Sequence, residues 1–415
     1  MEADFLLKNI NEIATPLQNS DLTPAQFICL ENGALAAANG KIVWIGKSSD
    51  VNSKVTLSKR AQVIDAVGKV VTPGFVDCHT HPVFFGTREH EFEMRVGGKS
   101  YEEIAAAGGG ILSSVRALRK ASQEELIQVI FPRLDRFLAF GTTTIEAKSG
   151  YGLTVEDEIK SLKVISEANK RHPVELVPTF LGAHETPPEY RRNKSLYIDV
   201  LINEMMPLVK EENLAVFCDI FCETSVFNLR ETRTVLTGAK DFGFDLKIHA
   251  DQLTRNGGTA LAAEMGVTSA DHLEHSEEDD WKKLVEEKVV PVMLPGAVFF
   301  LGKSKYAPAK EMLEMGLPIA LATDFNPGTC MSESMPFMMT LACLKLKLTP
   351  AQAITAATYH SALALNKGNL LGTLEVGKEA DLIIWDVPNY RHIPYHFGVN
   401  LIKTVVKSGK VVKEN

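Results

Sequence analysis

The chain alternates short apolar runs with helix-like segments in a regular order from about Val70 onward. The helix-like segments carry apolar residues at three- and four-residue spacing, with charged residues between them. We predict eight strands, at residues 70–76, 142–147, 174–181, 215–221, 245–248, 269–273, 289–294 and 319–322. Predicted helices between them include residues 154–171, 196–212, 229–241 and 259–265. Eight strands alternating with helices predict an α/β fold of the (β/α)8 TIM barrel type.

The two flanks of the chain follow a different pattern. Residues 1–68 and 366–415 contain short alternating stretches separated by turn residues, which is typical of antiparallel strands. We therefore predict that both termini build one small β-sandwich domain, and that residues 69–365 form the barrel as the catalytic domain. Thr349 followed by Pro350 provides an N-cap and a first helical residue, so a final helix is predicted before the second flank.

Composition and charge exclude several classes of partner. The 415 residues carry 44 Lys and Arg against 52 Asp and Glu, a formal net charge of −8, and they contain no basic run, so we expect no nucleic acid partner. No apolar run approaches the roughly 18 residues that a membrane span needs, so we expect no membrane partner. The six cysteines form no disulfide framework, which favours a cytoplasmic protein. A homodimer is compatible with the outer helices of a barrel.

The stretch Val-Asp-Cys-His-Thr-His at residues 76–81 closes the first predicted strand. Side chains at positions i and i+2 of a strand point the same way, so His79 and His81 form a pair of nitrogen donors suited to a transition metal. An isolated His-X-His is explained equally well by two polar residues that merely close a strand. The choice depends on the other strand ends.

Three more metal-competent side chains stand at predicted strand ends. His249 ends the fifth strand, His272 the sixth and Asp324 the eighth. In a barrel the carboxyl ends of all strands meet at one mouth, where active sites lie. Since independent placement of five such residues at that mouth is improbable, the pattern predicts a site for a divalent metal ion.

Several longer blocks give the chain a family resemblance, and it resembles the amidohydrolase superfamily over nearly its whole length. Within that superfamily it is similar to the branch that hydrolyses 4-imidazolone-5-propanoate. The blocks are His-Thr-His-Pro-Val-Phe-Phe-Gly-Thr-Arg at 79–88, Glu-Ala-Lys-Ser-Gly-Tyr-Gly-Leu at 146–153, Phe-Leu-Gly-Ala-His-Glu at 180–185, Lys-Ile-His-Ala-Asp-Gln at 247–252 and Ala-Thr-Asp-Phe-Asn-Pro-Gly at 322–328. The tail Gly-Thr-Leu-Glu-Val-Gly-Lys-Glu-Ala-Asp-Leu at 372–382 is common across the superfamily and carries little information on the substrate.

The resemblance implies a ligand set for the metal. It assigns one divalent ion, zinc or iron, to His79, His81, His249 and Asp324. Three imidazoles and one carboxylate leave a position for water, whose pKa a metal lowers from about 16 to about 7. Two-metal members of the superfamily use a modified lysine at the end of the fourth strand, whereas Lys148 follows the second, so a single metal is expected.

The resemblance also implies the reaction. The small-molecule substrate is 4-imidazolone-5-propanoate, whose cyclic amide is hydrolysed to N-formimidoyl-L-glutamate in histidine degradation. Metal-bound hydroxide attacks the ring carbonyl, and Asp324 acts as general base and passes the proton to the departing ring nitrogen. His272 is the first candidate for the donor that stabilises the oxyanion, and His184 is the second.

Substrate contacts are expected on the loops at the barrel mouth. Arg88 offers a bidentate contact to the propionate tail, and Tyr151 offers a hydroxyl; a surface salt bridge and a packing role are the respective alternatives. Related enzymes often carry a glutamate where this chain has Gln252, which cannot relay a proton at neutral pH, so we assign Gln252 to substrate orientation. The remaining predicted contacts are His184, Asn326, Gly328 and Thr329.

Two other functions stay open on the sequence alone. A deaminase of a nucleobase-like heterocycle shares the metal ligands but usually has an acid at the position of Gln252. A non-catalytic scaffold keeps the barrel for assembly but tends to lose ligands that this chain retains. Release of ammonia distinguishes the deaminase, and metal analysis distinguishes the scaffold.

Overall fold

Strands of two separate sheets make up the framework of this computed structural model, which describes residues 1–18, 25–99, 103–104 and 107–415. In chain order, strands β1 to β16 are Glu2–Pro16, Phe27–Ala38, Lys41–Lys47, Thr56–Asp65, Val70–Pro73, Phe75–Asp77, Thr142–Lys148, Glu175–Ala183, Phe217–Cys222, Asp245–Ala250, Ser269–His272, Val290–Met293, Ala320–Leu321, Leu382–Trp385, Ile402–Lys407 and Lys410–Glu414.

Helices follow most of the strands. The α-helices are Val51–Lys54, Glu89–Val96, Ile111–Lys120, Gln123–Ala139, Val155–Arg171, Lys194–Val200, Met206–Glu211, Leu229–Asp241, Gly258–Met265, Glu278–Glu286, Pro295–Phe300, Ala309–Glu314, Met335–Lys345, Pro350–Thr355, Ser361–Leu363 and His392–Tyr395. Leu201–Met205 and Ala356–His360 are π-helical turns, and Ser48–Asp50 and Pro188–Tyr190 are 3₁₀ turns. Thr349 caps the helix that begins at Pro350, as predicted. Within the described part of the chain, no helix has both the length and the apolar character needed to cross a membrane.

Strands β6 to β13 form a sheet in which consecutive strands are parallel neighbours. The sheet closes through the backbone just beyond its first and last strands. The N–H of Asp324 donates to the carbonyl of His79 at 3.1 Å, and the N–H of His81 donates to the carbonyl of Phe325 at 2.9 Å. The predicted (β/α)8 barrel is therefore confirmed, and the bonds that close it lie on predicted metal ligands.

The prediction of one strand at residues 70–76 is wrong, because the structure has two strands there. Val70–Pro73 pairs with β1 and β14 in the terminal sheet, whereas Phe75–Asp77 pairs with β7 in the barrel. Gly74 lies between them and donates to the carbonyl of Asp381 at 2.9 Å, while Phe75 donates to the carbonyl of Gly141 at 3.0 Å. Both strands are fully buried, so a continuous apolar run gives no sign of the change of sheet.

The terminal sheet combines strands from both ends of the chain in the order β16-β15-β14-β5-β1-β2-β3. The long strand β1 pairs with β2 along one edge and, in succession, with β4 and β5 along the other. Buried side chains such as Phe5, Leu7, Ile384 and Val406 form its core. Both termini thus contribute to one small β unit, and the domain boundaries 1–68, 69–365 and 366–415 stay predictions.

His360 lies at the contact between the barrel and the N-terminal strands. Its Nδ1 donates to the carbonyl of Ile319 at 2.9 Å, and its Nε2 accepts from the N–H of Ala25 at 3.2 Å. A ring that donates at one nitrogen and accepts at the other is neutral. Burial lowers the pKa of His360 to about 4.

We expect His360 to stay neutral in the folded protein until the pH falls to about 4. In the unfolded chain a histidine binds its proton at a pH of about 6.5, so between these values the unfolded state holds more protons. The stability contributed by His360 is therefore complete above pH 6.5 and is lost as the pH falls toward 4. An NMR titration of labelled histidines, with His360→Gln to assign the signal, checks this. A His360 signal that titrates near 6.5 would contradict it.

Candidate active site

Five metal-competent side chains meet at the carboxyl-terminal mouth of the barrel, as predicted from the strand ends. They are His79, His81, His249, His272 and Asp324, none more than 3% exposed. The Nε2 atoms of His79 and His81 lie 3.3 Å apart, and Asp324 Oδ1 lies 3.6 Å from each of them. The ring of His249 lies 4.5 Å from that of His79 between centroids. The donor atoms of His79, His81 and Asp324 are close enough to share one ion, and so are those of His79, His249 and His272.

Hydrogen bonding at Nδ1 leaves the Nε2 atoms of His79 and His249 available to a metal ion. His79 Nδ1 donates to Asp271 Oδ2 at 2.6 Å, so its Nε2 carries a lone pair. The Nε2 of His249 is buried, and it has no hydrogen-bond partner within the described residues. Lone pairs that converge in a buried space repel one another unless a cation lies between them. Three imidazoles and a carboxylate fit a divalent ion such as zinc or iron.

Electrostatics keeps the first two histidines neutral. Burial, together with the Lys148 ammonium, holds the pKa of His79 well below its usual range. Burial and the neighbouring rings of His184 and His249 do the same to the pKa of His81. Neutral imidazole is the form that binds a metal, so these rings are ready to act as ligands at physiological pH.

Buried carboxylates behind the ligands orient the imidazoles. Asp271 accepts the Nδ1 proton of His79, and Asp219 Oδ2 lies 3.1 Å from Nδ1 of His249. Such outer contacts fix the tautomer and direction of a metal-binding histidine. Neither acid was predicted from the sequence, although charged residues inside buried barrel strands are a signal that points to them.

Asp324 is held by hydrogen bonds from its own loop. Asn326 Nδ2 donates to Asp324 Oδ1 at 3.1 Å, and the Thr329 hydroxyl donates to Oδ2 at 3.2 Å. Asn326 Oδ1 in turn accepts the backbone N–H groups of Gly328 and Thr329, each at 2.8 Å. Burial raises the pKa of Asp324. Asn326 and Thr329, which were predicted to contact the substrate, therefore lie against the carboxylate.

His272 lies beside the metal ligands with an acid of its own. Its Nδ1 is 3.6 Å from Glu274 Oε1, and both side chains are buried. Burial by itself lowers the pKa of His272, but the carboxylates of Glu274, Asp324 and Asp271 together outweigh burial, and the pKa lies above its usual value. Glu274 was not predicted, and its position two residues after His272 is the only sequence sign of this contact.

The backbone at two of these residues is in an unusual conformation. His272 has φ +82° and Asp324 has φ +53°, in the left-handed region that L residues rarely adopt. Such conformations persist where the surrounding structure imposes them, and they concentrate at functional sites. His272 is the last residue of β11, and Asp324 follows β13 by three residues, so both lie at the mouth of the barrel.

His184 and Tyr151 form one wall of the mouth. The ring of His184 stacks on His81 with centroids 5.1 Å apart, and Tyr151 lies 5.3 Å from His184 between centroids. His184 Nδ1 donates to the carbonyl of Gly150 at 3.0 Å. Burial lowers the pKa of His184 to about 3 and raises the pKa of the Tyr151 hydroxyl. His184 is thus neutral, and Tyr151 keeps its proton.

Arg88 lies over Gly328, in the loop that follows Asp324. A Cβ atom at residue 328 would collide with the Arg88 guanidinium, so glycine permits the approach. Arg88 Nη2 pairs with Glu91 Oε2 at 2.6 Å, which means that the salt bridge considered as an alternative does form. Arg88 Nε is buried without a hydrogen-bond partner among the residues described. Gln252 follows β10 and is partly buried.

The chain is similar to known proteins over nearly its whole length. The sequence profile of the amidohydrolase family matches residues 70–412. An imidazolonepropionase of Alkaliphilus metalliredigens (strain QYMF) is 46% identical, over 99% of this chain and 98% of its own length. An imidazolonepropionase of Symbiobacterium thermophilum is 47% identical, over 99% of this chain and 97% of its own length.

Solved structures share the fold at lower identity. A zinc-bound adenosine deaminase from Xanthomonas campestris superposes with a TM-score of 0.75 at 18% identity, covering 99% of this chain and 93% of its own. An E. coli guanine deaminase gives a TM-score of 0.72 at 17% identity, covering 99% of each chain. At such identities the similarity concerns the fold alone.

Proposed function

The chain belongs to the amidohydrolase family and, within it, to the imidazolonepropionases, and on this premise we propose how its residues carry out the reaction. It is a metal-dependent hydrolase of histidine degradation that acts on a small molecule, 4-imidazolone-5-propanoate, and opens its cyclic amide. The observation that carries the proposed roles is the convergence of the His79, His81 and His249 imidazoles with Asp324 at the barrel mouth.

His79, His81, His249 and Asp324 would hold one divalent ion, zinc or iron. When bound, the ion lowers the pKa of a water molecule from about 16 to about 7, so that hydroxide is available near neutral pH. Asp271 and Asp219 keep the Nδ1 protons of His79 and His249 directed away from the ion. The Nε2 atoms of these two histidines are thereby left to bind the ion.

Asp324 is the proposed general base. Its carboxylate takes the proton of the attacking water and returns it to the ring nitrogen as the bond between that nitrogen and the carbonyl carbon breaks. The carbonyl carbon becomes a carboxylate, and the product is N-formimidoyl-L-glutamate. Asn326 and Thr329 hold the carboxylate in place for this transfer.

His272 is the proposed donor to the oxygen of the tetrahedral intermediate. It lies next to His79 and His249, with ring centroids 5.5 Å and 5.3 Å away, and Glu274 favours its protonated form. His184 was the second candidate from the sequence, but its neutral ring donates through Nδ1 to the Gly150 carbonyl, which leaves Nε2 as an acceptor and favours His272. A donor already in position needs no rearrangement as negative charge develops on the substrate.

The substrate's propionate is assigned to Arg88, whose guanidinium lies beside Gly328 and whose buried Nε has no hydrogen-bond partner among the residues described. Tyr151 would donate its hydroxyl, and Gln252 would orient the ring through its amide. Backbone groups at Gly328 complete the proposed contacts, together with Asn326 and Thr329. The cytoplasmic location and a homodimer stay predictions.

We expect metal-loaded protein to remove the ultraviolet absorbance of 4-imidazolone-5-propanoate without releasing ammonia. Protein stripped with a chelator should be inactive, and zinc and iron added back separately identify the metal that restores the rate. Ammonia release would show a deaminase instead. If the substrate absorbance does not change although one metal ion is bound per chain, the proposed reaction is refuted.

A further inference from the structure

Lys148 lies at the centre of a buried cluster of acids below the active site. Its Nζ is 2.6 Å from Asp219 Oδ2, 2.8 Å from Glu146 Oε2 and 4.0 Å from Asp271 Oδ2. All four side chains have no exposed surface. They come from three barrel strands, with Lys148 and Glu146 on β7, Asp219 on β9 and Asp271 on β11, so the cluster exists only in the closed fold.

Two of these acids are the ones that hold metal-binding histidines. Asp219 faces His249 Nδ1 at 3.1 Å, and Asp271 accepts from His79 Nδ1 at 2.6 Å. The Lys148 ammonium therefore contacts the acids behind two metal ligands, His79 and His249, that lie far apart in the sequence. Neither contact needs Lys148 to touch the ion or the substrate.

We propose that Lys148 is a positioning residue for the metal site, and that its ammonium anchors the carboxylates that orient the imidazoles of His79 and His249. This inference rests on the proposed metal site and deepens it. Lys148 acts through other residues, and a change there should appear first in metal affinity.

The charge of the cluster explains why an anchor is needed. Three carboxylates within about 4 Å of one point repel each other strongly in a buried environment, and an uncompensated buried charge is costly. Lys247 lies 3.2 Å from Glu146 Oε1, so it compensates that acid from the other side. Asp219 depends on Lys148, because the lysine ammonium is the cation that contacts its Oδ2.

The geometry also explains why this position suits a lysine. His79, Glu146 and Asp271 lie close enough together to hold a cation among them. The Lys148 ammonium fills that region with a charge that is tethered to the chain. The buried acids thus keep a fixed counter-charge whether or not the active site has been loaded with metal.

The experiment compares zinc affinity in the wild-type protein and in Lys148→Met, measured by competition with a chromophoric chelator. Loss of contacts behind a metal ligand typically weakens binding by about 10- to 100-fold, and we expect a weakening in that range. The visible spectrum of the cobalt(II)-loaded protein should change as well, because it reports the arrangement of the ligands. Asp219→Asn, which retains side-chain volume, should weaken binding in the same direction.

Lys378→Met is the matched control. Lys378 is also a buried lysine, and its Nζ donates to the carbonyls of Gly368 at 2.6 Å and Leu371 at 3.4 Å, away from the metal ligands. Its replacement removes a buried ammonium without touching the acids behind the histidines. Zinc affinity and the cobalt spectrum should stay as in the wild type.

Each outcome decides one question. A wild-type protein that binds no zinc would refute the proposed metal site, independently of Lys148. If the wild type binds zinc and Lys148→Met binds it equally well, the positioning role is overturned. It is also overturned if Lys378→Met, at a similar loss of thermal stability, weakens zinc binding as much as Lys148→Met. A Lys148→Met protein that does not fold leaves the decision to Asp219→Asn, whose unchanged affinity would likewise overturn the role.

Discussion

Asp324→Asn is expected to lower kcat for 4-imidazolone-5-propanoate by about 10³- to 10⁴-fold, the largest effect predicted for this protein. The amide keeps the size of the side chain but cannot accept and return a proton, and it lacks the charge that completes the ligand set. Steady-state kinetics at saturating metal, with the metal content measured in the same samples, checks the result. Because Asn tolerates a left-handed backbone, the variant should fold.

Thr329→Val provides a graded control for Asp324. It removes the hydroxyl that donates to Oδ2 but leaves the carboxylate and the donor from Asn326 in place. We expect a loss of less than about tenfold, as for a single hydrogen bond. An Asp324→Asn protein that binds metal and retains a tenth of the wild-type kcat would contradict the role of general base.

Arg88→Met is expected to raise KM by about 10²-fold while kcat changes by only a few-fold. A hydrogen-bonded contact between an arginine and a carboxylate contributes about 1.5 to 3 kcal/mol, which corresponds to that range. The propionate lies remote from the bond that breaks, so its contact with Arg88 contributes mainly to binding. Kinetics with the natural substrate and with an analogue that lacks the carboxylate checks this, since Arg88→Met should not affect the analogue.

Arg95→Met is the control for Arg88. Arg95 lies in the helix Glu89–Val96, which Arg88 precedes as the N-cap residue. The Arg95 guanidinium lies over the ring of Phe300, 5.0 Å from the centroid, and its Nη1 is 3.5 Å from the carbonyl oxygen of Gly328. Its loss removes a positive charge from the mouth without removing Arg88. If Arg95→Met raises KM as much as Arg88→Met, the propionate is recognised by general charge at the mouth and not by Arg88.

The barrel and its five metal-competent residues could be predicted because both follow from local patterns. The spacing of apolar residues predicts the helices and strands, and the carboxyl ends of all barrel strands meet at one mouth. His79 and His81 needed only the two-residue period of a strand to be paired. The position of each histidine relative to its strand end was therefore enough to assemble the cluster.

Contacts between strands could not be predicted, because they depend on register. Lys148, Asp219 and Asp271 lie far apart in sequence and meet only when β7, β9 and β11 are aligned in the closed barrel. Nothing local separates a buried lysine of this kind from an exposed one. The hydrogen bonds from Asn326 and Thr329 to the Asp324 carboxylate depend on the conformation of the loop, which the sequence pattern does not predict.

The single-residue crossing at Gly74 has a consequence for how this molecule can be recombined. Strand β5 belongs to one sheet, β6 to the other, and a Cβ at Gly74 would lie only 2.6 Å from Thr143 Oγ1, so the crossing tolerates neither a longer linker nor a larger residue without local rearrangement. His79 follows β6 by two residues. The terminal sheet and the segment that carries His79 and His81 are thus structurally coupled through Gly74. In a chimera assembled from relatives, we expect the site to be preserved when the terminal sheet and this segment come from the same parent.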